Sequence, residues 1–278
     1  MIDAIIAADS SANMAADISL VSSVPLKIIT EHKEYIDNAD LDTAAMVSDL
    51  LTYTGKSSTA CPSTHDWLEA FADKPYVFCV TISSNLSGSY NAANIAKEDF
   101  EHTHPGKQVL VIDSLSTGGE MELIIEKLQA LIAEGYSFQE IAQRIREYQK
   151  STAILFMLES MRNLANNGRV NRVIAKAAGI LGIRVVGKGS DTGTLQMLEK
   201  CRGEKKALSY LFQNMCEAGY AGGKVRISHC LNLEAAESLR ERILALYPQA
   251  DVQIRPTGGL CSFYAEKGGL IIGYETQA

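Results

Sequence analysis

The segment 76–93, YVFCVTISSNLSGSYNAA, constrains the fold of this chain more than any other part of the sequence. Its first half, residues 76–82, is an apolar run rich in β-branched residues and has the length of a buried strand. A polar loop follows, and residues 90–96 are compatible with a helix. The segment therefore predicts a strand that enters a helix through a polar loop. At the carboxyl edge of a parallel sheet, such a junction exposes backbone N–H groups at the positive end of a helix.

Two serines in this loop, Ser84 and Ser87, allow two interpretations. Serine is a preferred N-cap of any helix, so either residue can simply cap the helix that follows. The same hydroxyls, together with free backbone N–H groups, can also bind a carboxylate or a phosphate. This segment alone leaves both interpretations open.

The pattern of an apolar run followed by hydroxyl residues recurs twice more in the first 150 residues. Residues 2–8 are followed by Ser10, and residues 108–112 are followed by Ser114. Helical periodicity after these runs predicts a parallel sheet with helices on both faces, which is a Rossmann-like α/β domain. Because ligands of such sheets bind beyond the carboxyl ends of the strands, we expect Ser10, Ser87 and Ser114 to lie close together.

A further hydroxyl, Thr59, lies in the polar segment 54–63, which we predict to be a loop. The helix that follows carries Trp67 on its apolar face, and Ser63 or Thr64 is expected to cap it. Thr59 is therefore another candidate ligand-binding group that precedes a helix.

The second half of the chain predicts a smaller α/β domain with a mixed or antiparallel sheet. A tight turn at residues 191–193 joins two adjacent strands, which indicates antiparallel pairing. We place the boundary so that the domains are residues 1–152 and 153–278. The predicted strands are 152–158, 183–186, 194–198, 224–230, 252–254, 260–264 and 270–274, and the predicted helices are 159–166, 172–181, 204–218 and 233–246.

Composition excludes several classes of protein. The net charge is −7 and the Lys and Arg residues are dispersed, which argues against a nucleic-acid or anionic-membrane surface. No apolar run reaches the roughly 18 residues that a membrane span needs, and no signal sequence is recognisable, so we expect a cytoplasmic protein without stable membrane insertion. The six cysteines form no CxxC pair and are expected to be buried free thiols. His102 and His104 fall in a predicted surface loop without further metal ligands nearby, so no metal is expected.

Sequence motifs of common enzyme classes are missing: there is no GxSxG, no Walker loop and no GxGxxG after the first strand. Hydroxyl groups without an adjacent base bind anions better than they catalyse. Two arginines, Arg169 beside a turn glycine and Arg202, can add positive charge to an anion site or can be ordinary solvated side chains. A group-transfer enzyme with Ser87 or Ser114 as nucleophile and a module that senses a small carboxylate remain alternatives.

Several motifs, in their order along the chain, resemble the DegV family of bacterial fatty-acid-binding proteins over nearly the full length. The residues that carry the resemblance are Asp9-Ser10-Ser11, TACPS at 59–63, ISSNLSGSY at 82–90, VIDS at 111–114, NGRV at 167–170, and Gly193 followed by Arg202 and Lys206. The stretch at 82–90 is the most specific of these.

The resemblance implies a two-domain protein that encloses one long-chain fatty acid in an apolar tunnel between its domains. It assigns the carboxylate to Thr59 and Ser87, with Gly88 at the helix start and Tyr264 beside them. It also implies that a separate fatty acid kinase phosphorylates the bound carboxylate, so that the protein is a carrier without a cofactor rather than a catalyst. Other residues are implied on the headgroup side or facing the partner, namely Ser84, Ser114, Arg169 and Arg202.

Three positions depart from the family pattern. Tyr264 stands where the family often has a histidine, Ala60-Cys61 replaces Ser-Gln beside Thr59, and Arg184-Val185 replaces Lys-Pro. A phenol can donate one hydrogen bond but carries no positive charge near neutral pH, unlike a protonated imidazole.

Overall fold

The computed structural model describes residues 2–14, 19–171 and 182–277 and confirms a two-domain α/β fold. The strands are β1 (Ala4–Asp9), β2 (Val21–Val24), β3 (Lys27–Thr30), β4 (Glu34–Ile36), β5 (Ser57–Ala60), β6 (Tyr76–Thr81), β7 (Gln108–Asp113), β8 (Thr152–Leu158), β9 (Ile183–Gly189), β10 (Leu195–Arg202), β11 (Val225–His229), β12 (Val252–Pro256) and β13 (Leu270–Glu275). The α-helices are α1 (Thr43–Thr52), α2 (Thr64–Ala70), α3 (Ser89–Thr103), α4 (Gly119–Ala133), α5 (Phe138–Tyr148), α6 (Arg162–Asn166), α7 (Glu204–Glu217), α8 (Leu233–Leu246) and α9 (Gly259–Ala265).

The predicted parallel sheet contains four strands in the order β2-β1-β6-β7. Alternate side chains of β6 face opposite sides: Val77 and Cys79 pack with α2 and α3, whereas Phe78 and Val80 pack with α4 and α5. Both faces are therefore covered by helices, which explains why these strands read as continuous apolar runs. The carboxyl ends of β1, β6 and β7 lie at one edge, where residues 81–88 and 113–118 form the connections to α3 and α4.

A small antiparallel sheet, β4-β3-β5, was not predicted. The polar sequence of the segment 54–63 predicts a loop, but residues Ser57–Ala60 form β5, in which Thr59 pairs with Ile28 of β3. The sequence SSTA shows no apolar alternation, so its extended form depends on pairing with β3. The predicted cap Ser63 is confirmed, because its Oγ accepts a hydrogen bond from the Asp66 N–H of α2 at 3.3 Å.

The third sheet has six strands in the order β10-β9-β8-β13-β11-β12, all of them within residues 152–275. Its pairing is mixed: only β11 and β12 run parallel. The predicted hairpin between β9 and β10 is confirmed, and Gly193 in its turn has a φ of 74°. The predicted helix 172–181 lies outside the described residues, and the domain boundary at residue 152 stays a prediction.

One predicted strand, 260–264, is wrong, because these residues belong to α9. The carboxylate of Asp37 accepts hydrogen bonds from the backbone N–H groups of Gly259, at 2.5 Å, and Leu260, at 2.9 Å. A negative charge at the first turn stabilises a helix. A short apolar run has no periodicity that separates a buried helix from a strand, so the sequence could not reveal this contact.

Helix α4 connects the parallel sheet with the six-stranded sheet. Its residue Gly119 lies so close to the backbone of Arg226 and Gly273 that a side chain has no room there. Farther along α4, Glu126 binds the guanidinium of Arg226 through both oxygens, at 2.6 and 2.8 Å. These contacts hold α4, which also packs on the parallel sheet, against β11 and β13 of the six-stranded sheet. Among the described residues, no helix is long and apolar enough to cross a membrane.

Candidate functional site

A cavity lies where the carboxyl edge of the parallel sheet meets the inner face of the six-stranded sheet. It contains about 810 Å³ of space free of atoms, a volume that includes solvent at its open mouth. We call it the central cavity. Its wall is mostly apolar and consists of Leu26, Thr59, Ile82, Leu86, Ser87, Leu115, Ser116, Thr117, Ile154, Phe156, Leu158, Leu164, Arg169, Gly189, Gly193, Thr194, Leu195, Leu260, Cys261, Tyr264, Ala265 and Ile271.

Two polar side chains of this wall, Thr59 on β5 and Tyr264 on α9, form a hydrogen bond. The Thr59 Oγ1 lies 2.8 Å from the Tyr264 hydroxyl. Burial raises the pKa of Tyr264, while the bond to Thr59 and the charge of Arg169 act against that shift. The phenol is therefore neutral at physiological pH and can donate a hydrogen bond to an anion.

Arg169 brings a positive charge to the same place. Its Nε donates to the Leu86 carbonyl at 3.1 Å, and an Nη donates to the Asn167 carbonyl at 2.6 Å. Its guanidinium carbon lies 5.7 Å from the centroid of the Tyr264 ring, within the range of a cation–π contact. Backbone carbonyls thus fix the guanidinium beside the phenol without neutralising its charge.

Ser87 follows Leu86 at the start of α3. Its Oγ accepts a hydrogen bond from the Ser89 N–H at 3.3 Å, and its own N–H donates to the Ser83 carbonyl at 3.1 Å. The N-cap of α3 is Gly88, so neither Ser84 nor Ser87 occupies the capping position that the sequence left open. Gly88 is exposed, and a Cβ atom there would lie 3.2 Å from the Cys61 sulfur.

Three other residues predicted to belong to the site, Ser84, Ser114 and Arg202, lie apart from the polar residues of the cavity wall. Ser84 is exposed, and its N–H donates to the Asp113 carboxylate at 3.1 Å. Ser114 is buried in its own turn, where its Oγ donates to the Ser116 carbonyl at 3.1 Å. Arg202 is exposed at the end of β10. None of these three residues is among those that form the wall of the central cavity.

The expected gathering of three strand-end serines is found only in part. Ser87 lines the central cavity, but Ser10 donates its hydroxyl proton to Asp37 at 2.8 Å and accepts from the Leu26 N–H at 3.0 Å. Ser10 therefore supports the residue that caps α9 and a residue of the cavity wall, Leu26. Ser114, in the third strand-end turn, likewise lies away from the cavity surface.

Sequence reasoning missed a second polar part of the wall, formed by Thr117 and Cys261. Thr117 Oγ1 donates to the Ser11 carbonyl at 3.3 Å and lies 3.4 Å from the Cys261 sulfur. Burial raises the pKa of the Cys261 thiol to about 12. Cys261 precedes Tyr264 by one helical turn, but this relationship was hidden because residues 260–264 were predicted to be a strand.

All six cysteines are free, as predicted. Cys61 is nevertheless exposed and Cys216 is half-buried, so the prediction of buried thiols is wrong for Cys61, which follows an edge strand. His102 lies in the last turn of α3 rather than in a loop, because that helix continues to Thr103. Within residues 2–14, 19–171 and 182–277, no group of three or more His, Cys, Asp or Glu residues could hold a metal ion.

Comparison with known proteins gives consistent matches. Residues 4–277 match the family described as "Uncharacterised protein, DegV family". A DegV domain-containing protein of Streptococcus pneumoniae R6 is 46% identical over 253 residues, which are 91% of this chain and 90% of the relative.

Two solved structures resemble the whole chain. A DegV family protein from Eubacterium eligens, loaded with heptadecanoic acid, is 43% identical with a TM-score of 0.96, and the match covers 99% of this chain and 100% of the other. The Streptococcus pneumoniae Fatty Acid Kinase (Fak) B3 protein, loaded with linoleic acid, is also 43% identical, with a TM-score of 0.95 and the same coverage. Both similarities extend across the parallel and the six-stranded sheets.

Proposed function

The chain belongs to the DegV family, and we propose that it binds one long-chain fatty acid in the central cavity and presents the carboxylate to a separate kinase. One observation carries this proposal: a mostly apolar cavity in which hydroxyls and one guanidinium converge at Thr59, Ser87, Arg169 and Tyr264. An apolar chain with a single anionic group is the ligand that such a wall complements. The fatty acids named for the two similar structures have this chemistry.

The apolar wall supplies most of the proposed affinity. Burial of each methylene contributes about 0.8 kcal/mol, so a chain of some fifteen methylenes contributes on the order of 10 kcal/mol before the costs of association. The six-stranded sheet provides a row of aliphatic and aromatic side chains for this purpose, including Ile154, Phe156 and Leu158 of β8.

The polar groups have separate proposed roles. Thr59 and Ser87 donate their hydroxyl protons to the carboxylate, and Gly88 keeps the start of α3 free of a side chain. Tyr264 adds a neutral donor, and Arg169 adds a positive charge that favours the ionised acid. Hydrogen bonds to a charged group are worth about 1.5–3 kcal/mol each, so a few well-aimed donors hold the headgroup in place.

The kinase is the proposed partner, since one similar protein bears the name Fatty Acid Kinase (Fak) B3. We propose that this chain is a non-catalytic carrier in the cytoplasm, where the kinase has access to ATP. The exposed Ser84 and Arg202 are the candidates for contact with that partner. Ser114, which is buried, shapes the turn that carries Leu115 and Ser116 into the cavity wall.

A binding titration tests the proposal. Lipid-stripped wild-type protein is titrated with palmitic and linoleic acid, in parallel with Thr59→Val, Ser87→Ala and the double variant. Ser58→Ala is the matched control, because Ser58 is exposed and neighbours Thr59 on the same strand. We expect one-to-one binding, a loss of at least about tenfold in each single variant and no loss in the control. Unchanged affinity in the double variant overturns the headgroup assignment. Absence of binding to the wild type, or turnover of acyl esters that depends on Ser87, overturns the carrier function.

A further inference from the structure

Strand β9 has two glycines, Gly187 and Gly189, beside cavity-wall residues of β8, and Gly189 itself belongs to the wall of the central cavity. Gly187 is the cross-strand partner of Phe156, and Gly189 lies beside Ile154. Both Phe156 and Ile154 belong to the cavity wall. The side chains of β8 therefore lie over the bare backbone of β9, and the space they leave free belongs to the cavity.

The two glycines differ in what a methyl group would meet. At position 187, a Cβ atom would press against the Phe156 ring and would also lie 2.6 Å from the backbone oxygen of Gln196. At position 189, a Cβ atom would lie 2.7 Å from the Ile154 Cγ2, and the next neighbour, the Leu115 oxygen, would be at 3.9 Å. A methyl group at position 187 would thus clash with the backbone of the neighbouring strand β10. A methyl group at position 189 would clash only with the Ile154 side chain.

We propose that Gly189 and Ile154 determine the length of the acyl chain that the central cavity accepts. This inference rests on the proposed function. Because Gly189 has no side chain, Ile154 can lie back against β9 and leave room for the ligand. Ile154 lies four residues before Leu158, about 13 Å along β8 from the end at which the chain continues towards Arg169. The pair therefore bounds the cavity on the side formed by β8 and β9.

Adding a methyl group at position 189 and removing one at position 154 should change the volume of the central cavity in opposite directions. Gly189→Ala moves the Ile154 side chain into the cavity and removes space for about one methyl group. Ile154→Val deletes a methyl group from the wall and adds a similar space. The double variant Gly189→Ala/Ile154→Val conserves the total side-chain volume, and volume-conserving changes are the best tolerated in packed interiors.

The experiment offers lipid-stripped protein an equimolar mixture of saturated fatty acids, from decanoic to stearic acid, and measures the bound acids by native mass spectrometry. Lys188→Ala is the matched control, because Lys188 is exposed and is the neighbour of Gly189 on β9. Thermal melting of every variant establishes that it is folded. If Gly189→Ala does not fold, the distribution of acids bound by Ile154→Val alone tests the proposal.

We expect Gly189→Ala to select shorter acids, with the ratio of long to short acids falling about fourfold for each methylene that no longer fits. Ile154→Val shifts the distribution towards longer acids, and the double variant and Lys188→Ala match the wild type. Wild-type distributions in both single variants overturn this inference while leaving the carrier function intact. Failure of the wild type to take up any acid overturns the proposed function itself.

Discussion

The hydroxyl of Thr59 lies 2.8 Å from the hydroxyl of Tyr264, although the two residues are 205 positions apart in the chain. Thr59 belongs to the small antiparallel sheet, and Tyr264 belongs to a helix capped by Asp37 from a neighbouring loop. The polar part of the central cavity is therefore assembled from separate elements of the fold. Its geometry depends on how these elements pack rather than on a local motif.

Removal of the phenolic hydroxyl is the most direct test of the role of Tyr264. Tyr264→Phe keeps the ring beside Arg169 but removes the neutral donor. We expect affinity for a fatty acid to fall by about tenfold or more, because a hydrogen bond to a carboxylate is lost. Affinity for the corresponding methyl ester, measured in the same titration, should change much less. An equal loss for acid and ester would show that the hydroxyl acts on packing only.

Thiol reactivity should separate Cys61 from Cys261. Thiolate is the reactive form, and burial raises the pKa of the Cys261 thiol to about 12, so this thiol stays protonated at pH 8. Cys61 is exposed and should react with a maleimide at once. Peptide mapping after brief labelling at pH 8 measures both sites. We expect Cys261 to be labelled only after unfolding and Cys61→Ser to lose the fast reaction. Rapid labelling of Cys261 in folded protein is incompatible with its buried environment.

The ion pair between Glu126 and Arg226 should contribute strongly to stability. Arg226 is 1% exposed, so Glu126→Gln leaves a buried cation without one of its partners. We expect a loss of about 3 kcal/mol in the free energy of unfolding, measured with urea. Glu147→Gln is the matched control, since Glu147 pairs with Lys150 in solvent and should show no clear change. Equal stability of the Glu126 variant and the wild type would exclude the pair as a link between α4 and β11.

The same pair predicts a pH dependence. Burial alone would raise the pKa of Glu126, but the hydrogen bonds from Arg226 and Lys224 outweigh it and hold the pKa below its ordinary value. A carboxylate whose pKa is lowered by folding stabilises the protein above the pKa of the unfolded chain, near 4.5, and loses that contribution as the pH falls through the folded pKa. Urea unfolding at a series of acidic pH values should therefore give a shallower decline for Glu126→Gln than for the wild type. Parallel declines would argue against this assignment.

The hairpin turn at Gly193 offers a test of how the two sheets are joined. Its carbonyl accepts a hydrogen bond from the Ser83 hydroxyl at 2.7 Å, and a Cβ atom would clash with that hydroxyl and with Leu115. Gly203 has a similar positive φ, 85°, but open space around it. Gly203→Ala should therefore cost only the strain of its backbone conformation, φ 85° and ψ 151°, which is about 1–3 kcal/mol.

In Gly193→Ala the clash with Ser83 and Leu115 adds a further loss, which we expect to be about 1–3 kcal/mol. Urea unfolding of both variants measures the difference. Equal losses at the two glycines would show that the turn is not packed against the parallel sheet.

The sequence was most informative where burial dominates local structure. β1, β6 and β7 are covered on both sides, so they appear as apolar runs that can be recognised without knowledge of their neighbours. The helices α4 and α2 can be predicted because their signals are also local. In α4 the signal is the helical periodicity of apolar residues, and in α2 it is the N-cap.

Other elements depend on contacts between distant residues. β5 is a strand because it pairs with β3, and α9 is a helix because Asp37 caps it from 222 residues away. The candidate site also contains both residues with a local sequence signal and residues whose contacts depend on the fold. Thr59, Ser87 and Arg169 are marked by loop and turn residues in the sequence. The contact of Thr117 with Cys261 and the packing of Ile154 on Gly189 arise only when the two sheets meet.

The carrier function is tested most directly by native mass spectrometry of the protein as purified from a bacterial host, repeated after extraction with denaturing solvent. We expect the native mass to exceed that of the polypeptide by one long-chain fatty acid, and the extract to contain that acid in equimolar amount. The polypeptide mass alone in both measurements, with no uptake of added fatty acid, would contradict the account.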